Sequence, residues 1–466
     1  MGDGIEPRDS AAWRRLSPLQ WVAVMLIMAS IVGCVSLAPR ETSAVLIVTL
    51  QCVFVALSLW RITAIVLTLN PSTLPKRPAR YPRYTVMAAL HGEAEVVGQL
   101  VQRLSRIDYP RDRLEAFLLL EAHDVETITA ARAVSLPHWM KIVIVPPGQP
   151  GTKPRALNFG LSRAKGQLIT IYDAEDDPDP LQLREAAGRF AADETNRIAC
   201  FQAPLRIRRL GRIGATSRFF DRQFAVEYAA LFEVTLPAMA RLGLPFPLGG
   251  TSNHFRASAL RAVGGWDAWN VTEDADLGFR LWRNGWRQGV LSRPTHETPP
   301  GGLEHWLPQR TRWLKGYMQT WGVHTRRIDS LGAKGLASLL LTLGTSLASA
   351  AIHAGTLAWV LTSVLMALVA GLPPQPPKFA VAVLLIGAAS AWLHGKIGAV
   401  RAGVPYSAAD MICSVGYWSL LSLAFGHAAW RLVREPFAWD KTRHFRDDEP
   451  AALDLFAAVD AGRQAA

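Results

Sequence analysis

Two kinds of hydrophobic pattern alternate along this chain of 466 residues. Long apolar runs fill 19–38 and 44–69 and return at 334–370, 379–398 and 406–430. Between them, from about 80 to 330, short β-branched runs recur at 84–90, 116–121, 141–145, 168–172 and 198–203, separated by helix-like or polar stretches. About 20 apolar residues are what a helix needs to cross a bilayer. Short apolar runs alternating with helical segments predict a mostly parallel sheet with helices on its faces. The pattern therefore predicts an α/β domain combined with an α-helical transmembrane region.

The first run follows Arg14 and Arg15, is followed at once by Pro39, and has a second run close behind it. A signal peptide has a shorter core and a small-residue cleavage context, so an uncleaved hairpin of two spans is expected. Lys76, Arg77, Arg80 and Arg83 then form a basic linker, which places the following domain in the cytoplasm by the positive-inside rule. The run at 334–370 is too long for one upright span, so it starts along the interface or bends into two. Basic residues flank 406–430 on both sides (Lys396 and Arg401; Arg431, Arg434, Lys441 and Arg443), so both its ends read as cytoplasmic. The expected organisation is 1–79 hairpin and linker, 80–300 catalytic domain, 301–333 amphipathic interfacial helices, 334–433 membrane and interfacial helices, and 434–466 a cytoplasmic tail. Four spans plus interfacial helices in the inner membrane are expected, against six if 334–370 divides.

Composition agrees. Half the residues are hydrophobic and only 19% charged, with a mean hydropathy of +0.14, too apolar for an ordinary soluble enzyme. The net charge of +12 follows from basic flanks of membrane segments, and no basic-aromatic module calls for nucleic acid. Cys34, Cys52, Cys200 and Cys413 show no C-x-x-C spacing, which argues against a cysteine zinc site and structural disulfides.

In a parallel α/β sheet, ligands sit beyond the carboxyl ends of the strands. The residues there are polar: His91, Gly92 and Glu93; Glu121, His123 and Asp124; and D-A-E-D-D-P-D-P from Asp173. Carboxylates so placed can hold Mg²⁺ or Mn²⁺ against two phosphates; equally, they are a solvated turn capped by Asp179 with Pro180 starting the next helix. Lys153 opens a helix and is either a phosphate contact or a surface lysine. Asp274, in T-E-D (Thr272 to Asp274), is either a first-turn dipole partner or a general base. A stripe of Trp306, Leu307, Trp313, Leu314, Tyr317, Met318 and Trp321, interleaved with Arg310, Arg312 and Lys315, reads as a helix at the membrane surface.

In this order and with this membrane layout, D-A-E at 173–175, T-E-D at 272–274 and Q-R-T-R-W at 309–313 resemble the membrane-embedded processive family-2 glycosyltransferases. That group includes cellulose, hyaluronan and chitin synthases, and the resemblance is closest to bacterial β-glucan exopolysaccharide synthases. It implies a GT-A nucleotide-sugar-binding fold over about 80–330. It implies Glu93, Glu121 and Asp124 in the nucleoside pocket, Lys153 on the diphosphate, and Asp173 with Glu175 on Mg²⁺ or Mn²⁺, with Asp176 able to share the metal. Asp274 becomes the catalytic base, and Glu273, Gln309, Arg312 and Trp313 hold diphosphate and acceptor. Gly249 to Asn253 matches an acceptor-side loop, with His254 as packing, and W-D-K-T-R-H at 439–444 resembles a gating segment. The implied reaction is inverting transfer from a UDP-sugar, UDP-glucose first, onto a β-linked polysaccharide exported through the bilayer, with accessory export subunits as possible partners. The alternatives are single-sugar addition to a lipid and a non-catalytic nucleotide-sugar sensor or transporter.

Overall fold

The computed structural model describes residues 4–13, 16–70, 73–208, 215–371 and 378–438. Arg14, Arg15 and the segment 439–444 lie outside the described residues. The strands, in chain order, are β1 (Tyr84–Leu90), β2 (Leu114–Glu121), β3 (Met140–Val145), β4 (Leu168–Tyr172), β5 (Asp177–Pro178), β6 (Ile198–Gln202), β7 (Leu205–Ile207), β8 (Asn253–Arg256), β9 (Arg287–Val290) and β10 (Thr295–Glu297). Seven form one sheet in the order β3-β2-β1-β4-β8-β6-β9, and β5, β10 and β7 form a small one. β1 to β4 are parallel, and β8 runs antiparallel between β4 and β6.

The five strands expected from apolar runs are β1 to β4 and β6. The others are short and polar: β8 reads N-H-F-R and β9 R-Q-G-V. They are strands because the sheet supplies their hydrogen-bond partners, which no local pattern announces. Alternation along β1 divides the core. Val86, Ala88 and Leu90 face Leu100, Leu118 and Phe190 on one side, while Met87 on the other meets Leu119, Leu157 and Ile171.

The helices are α1 (Pro18–Leu37), α2 (Pro39–Leu67), α3 (Val97–Ser105), α4 (Val125–Ala133), α5 (Lys153–Leu161), α6 (Gln182–Ala192), α7 (Ala215–Ala230), α8 (Leu236–Leu242), α9 (Ala257–Ala262), α10 (Glu273–Arg283), α11 (Leu303–Thr325), α12 (Gly332–Leu339), α13 (Thr345–Val369), α14 (Lys378–Ala402) and α15 (Ala408–Arg434). The run at 334–370 is neither bent double nor split. α12, a π-helical turn (Leu340–Gly344) and α13 follow one another without a break. Its first part is held on the catalytic domain, where Leu339 and Leu343 pack on Phe279 and Trp282 and Trp282 Nε1 donates to Leu331 O at 2.9 Å.

Four helical runs are long and apolar enough to cross a membrane among the described residues: Pro18–Leu37, Ile328–Val369, Val381–Ala402 and Ala408–Arg434. α15 nonetheless touches the catalytic domain at both ends. Arg222 of α7 pairs with Asp410, and Lys315 Nζ of α11 donates to Ala438 O at 2.7 Å. This covering changes the expected membrane-surface stripe of α11. Trp306 and Leu314 are buried, because α15 and α13 lie over them: Trp306 Nε1 donates to Tyr417 Oη at 2.9 Å, and Leu314 joins Ala350, Ala424 and Ala428.

Candidate active site

The carboxyl ends of β1, β2 and β4, the start of α5, the start of α10 and one face of α11 converge on a cavity of about 450 Å³. Helical spacing explains the last contribution, since Gln309, Arg312, Trp313 and Tyr317 fall at three- and four-residue intervals and share a face. Gly316 lets that face come close: a Cβ there would sit 2.4 Å from the Thr272 side chain.

Ten of the eleven expected site residues line this cavity: Glu93, Glu121, Lys153, Asp173, Glu175, Glu273, Asp274, Gln309, Arg312 and Trp313 do so, and Asp124 does not.

 Asp124 lies outside this lining. It caps α4, accepting from Thr127 N at 3.2 Å, and it also accepts from Gly92 N. Burial raises its carboxyl, but these hydrogen bonds and His91 outweigh that and hold it below the usual range. It ties the loop after β1 to α4 from behind the cavity.

Glu121 lines the cavity and pairs with Arg155. Lys153 donates to Gly250 O at 2.7 Å and pairs with Asp173. Burial works against its ammonium, yet Asp173 and Glu273 raise it above the ordinary lysine value. In the acidic turn, Glu175 faces the cavity while its carbonyl accepts from Arg103 at 2.9 Å and Arg208 at 2.8 Å. Asp176 does not line the cavity. It is fully buried, accepting from Asp173 N at 2.7 Å and from Thr251 Oγ1, so it fastens the acidic turn to the Gly249–Asn253 loop.

Glu297, at the end of β10, is a cavity residue that the sequence did not single out. Its short polar strand gave no periodic signal. Burial, then Asp176, Glu175 and Asp173, push its carboxyl well up; burial, then Asp173 and Glu175, do the same to Asp176. Asp176 Oδ1 is buried without a hydrogen-bond partner. Tyr317, expected only to orient α11 at the membrane, also lines the cavity.

At the start of α10, Asp276 is buried against Arg280 and His324, and Glu273 is buried too. Asp274 keeps partial exposure toward the cavity. Burial and then Asp274 push Glu273 up to about 8, with Lys153 opposing. Burial also raises Asp274, against the Ala275 N–H, Lys153 and Arg312. The Ala275 N–H donates to Asp274 Oδ1 at 2.8 Å and leaves Oδ2 toward the Gly250 backbone.

Part of the lining is apolar: Leu205, Leu231, Phe232, Pro247 and Leu248, with Tyr228 stacked on Trp313 at 6.2 Å between centroids. Behind Trp313, Arg310 forms a two-pronged pair with Glu227 at 2.8 and 2.6 Å and lies 4.5 Å from the Trp313 ring centroid. His254 is core: it meets Tyr84 Oη at 2.6 Å and Gln182 Oε1 at 3.0 Å.

The family profile described as "Glycosyl transferase family group 2" matches residues 168–392. The chain is 30% identical over 266 residues to a beta-monoglucosyldiacylglycerol synthase of Synechocystis sp., covering 55% of this chain and 52% of that one. It is 26% identical over 267 residues to the UDP-forming cellulose synthase 1 catalytic subunit of Komagataeibacter xylinus, covering 56% of this chain and 34% of that one. It thus spans about half the length, or less, of these curated relatives. Among solved structures, a mannosyltransferase from Pyrobaculum calidifontis, in complex with GDP-Man and Mn²⁺, superposes with a TM-score of 0.52 at 18% identity, over 82% of this chain and 99% of that one. That likeness is one of fold. Over residues 168–392 the chain is thus similar to the family 2 glycosyltransferases, and its α/β architecture is GT-A-like.

Proposed function

We propose that the protein is an inverting glycosyltransferase that moves a sugar from a nucleotide diphosphate onto a hydroxyl of an acceptor presented at the membrane. The observation that carries the reading is Asp274, a carboxylate raised by burial and fixed at a helix start, facing a cavity whose other groups are acids, Lys153 and Arg312. Asp274 Oδ2 takes the acceptor proton as the hydroxyl attacks the anomeric carbon, and the bond to the diphosphate breaks on the opposite face. Lys153 and Arg312 receive the charge that grows on the departing diphosphate. Glu93, Glu121, His91 and His123 stand where the nucleoside would lie. Gln309 Oε1, buried without a hydrogen-bond partner, is placed to accept from a sugar hydroxyl.

Asp173 and Glu175 would hold Mg²⁺ or Mn²⁺. The fit rests on a crowd of carboxylates that raise one another and on the orphaned Asp176 Oδ1 beneath them. Among the described residues no three acidic, histidine or cysteine side chains are arranged to hold a metal alone, which suits an ion that takes its remaining ligands from phosphate. When bound, such a cation neutralises the leaving diphosphate. The relatives' names, a glucosyl-lipid synthase and a UDP-forming synthase, favour UDP-glucose as donor.

The acceptor side supports a lipid-borne hydroxyl. Part of the cavity lining is apolar, and its Leu231 and Phe232 belong to a turn that packs on α2 and α14. The helices beyond the catalytic domain pack as two sets, α1–α2–α14 and α13–α15–α11, with α7 touching both α14 and α15. We read α1, α2, α13 and α14 as spans, with α15 along the interface. Processive polymer synthesis is the second reading, favoured by the Trp313 ring, a platform for a sugar, in the cavity wall.

The test is incubation of the full chain in lipid with a panel of nucleotide sugars and Mg²⁺ or Mn²⁺, followed by solvent extraction. Label in a glycolipid supports the first reading, and label in a polymer the second. Failure to release nucleotide from any donor, or full turnover in excess chelator, would overturn the enzyme or the metal assignment respectively.

A further inference from the structure

Arg61 is a cation within α2, a helix that we read as a span. It lies six residues before the end of α2, about 9 Å along the helix, and it turns toward α14 rather than toward an acid. Its Nη1 donates to Gly387 O at 3.4 Å and Ser390 Oγ at 3.3 Å, both long contacts. Among the described residues no carboxylate acts on it. A guanidinium at bilayer depth without an opposite charge is costly, and such residues are retained where an anion or a polar pathway compensates them.

Further polar groups and two more cations, Arg401 and Arg241, lie nearby. His394, one turn beyond Ser390 on α14, meets Thr235 Oγ1 at 3.2 Å and lies within electrostatic reach of both Arg61 and Arg401. Arg401 donates to Thr68 Oγ1 at 2.8 Å and Glu233 O at 2.9 Å. Arg241 donates to the carbonyls of Leu67 and Asn70. The carboxylate of this group, Glu233, is already paired with Arg206 at 2.9 Å. Both helices also carry exposed apolar side chains next to these positions in sequence: Ile62 and Val66 on α2, Ile386 and Leu393 on α14. Charge and apolar surface together describe an amphiphile with an anionic head.

We propose that the α2–α14 seam binds a membrane lipid through its phosphate, with Arg61 as the principal contact and the acyl chains along Ile62, Val66, Ile386 and Leu393. Guanidinium groups suit phosphate because their fork of N–H donors matches its oxygens, and basic sites between membrane helices recognise lipid headgroups by the same chemistry. The Leu231–Thr235 turn joins this seam, at Thr235, to the apolar wall of the donor cavity, at Leu231 and Phe232. A lipid held at this seam is linked to that wall through the same turn. Whether it is the sugar acceptor rests on the lipid reading above; its binding does not.

Binding is measured on the full chain in a maltoside detergent, which carries no phosphate, with three probes: dioctanoyl phosphatidic acid, dioctanoyl glycerol and inorganic phosphate. The phosphatidic acid should bind saturably and at least ten-fold more tightly than the other two. Arg61→Gln should lose at least ten-fold of that affinity, whereas Arg434→Gln, at the exposed end of α15, should lose none. Equal affinity in wild type and a folded Arg61→Gln overturns the site. Equal binding of the phosphate-free lipid overturns the role of phosphate, and equal binding of inorganic phosphate overturns the lipid. Should Arg61→Gln not fold, Arg61→Lys keeps the charge but loses the fork and is expected to bind a few-fold more weakly, while the three-probe comparison on wild type decides independently.

Discussion

Two carboxylates three residues apart, Asp173 and Asp176, show how far burial separates like side chains. Asp173 faces Lys153 and the cavity; Asp176 is a buried fastener for the Gly249–Asn253 loop. At this scale the central expectation concerns Asp274. Asp274→Asn keeps the shape and cannot take the proton, so turnover should fall roughly 10²- to 10⁴-fold with nucleotide affinity retained, as read by initial rates beside a binding titration. Near-normal turnover would remove Asp274 from the chemistry. His254 offers a pH test. Burial drives its imidazole down to about 3, whereas an unfolded chain protonates histidine near pH 6.5. Between these values the unfolded state holds the extra proton, so stability falls as pH drops below about 6.5, by at most about 1.4 kcal/mol per pH unit. His254→Asn should flatten that part of the acid slope; thermal midpoints of both proteins at pH 7.5 and pH 5 measure the difference.

Among the elements, α10 and α11 deliver the catalytic acid and the aromatic platform, and glycines set how near they come. Gly278 of α10 leaves room for the Phe246 carbonyl, which would lie 2.3 Å from a Cβ there. Gly278→Ala must push α10 off that backbone. We expect a loss of about 1–3 kcal/mol from overpacking and, because Asp274 rides on the same helix, a turnover loss of roughly 10- to 100-fold from misplacement. Calorimetry and initial rates on one preparation check both; an unchanged rate would show that α10 does not set the position of the acid. The Q-R-T-R-W stretch was legible as a motif and as a helix, because its spacing is local. Its lipid-facing appearance misled, since α15 and α13, distant in sequence, cover Trp306 and Leu314.

Across the whole molecule, the catalytic domain and the apolar helices share one buried joint. Tyr417 of α15 donates to Glu227 of α7 at 2.9 Å, and both contact Arg310 of α11. Arg310 is nearly buried while the Glu227 side chain is 40% exposed, so removal of the acid leaves a poorly solvated cation under Trp313. Glu227→Gln should cost about 1–2 kcal/mol, since solvent at the exposed acid screens the pair, and weaken acceptor use more than donor binding. Unfolding midpoints and separate KM values for donor and acceptor would show it; equal changes in both KM values would make the joint purely structural.

The sequence by itself determined the alternation of strands and helices in 84–203, the apolar runs, and the order of acidic, T-E-D and Q-R-T-R-W motifs, because each is written in neighbouring residues through a period or a spacing. Tertiary structure decided the rest. It made strands of the polar segments β8 and β9 by giving their backbones partners, and brought Glu297 beside the acidic turn by pairing β10 with β5 and β7. It turned Asp124 into a cap, and it laid α15 across α11. These outcomes depend on contacts between residues tens to hundreds of positions apart, where hydrogen-bond satisfaction and burial are settled by the fold as a whole and leave no periodic mark in the chain.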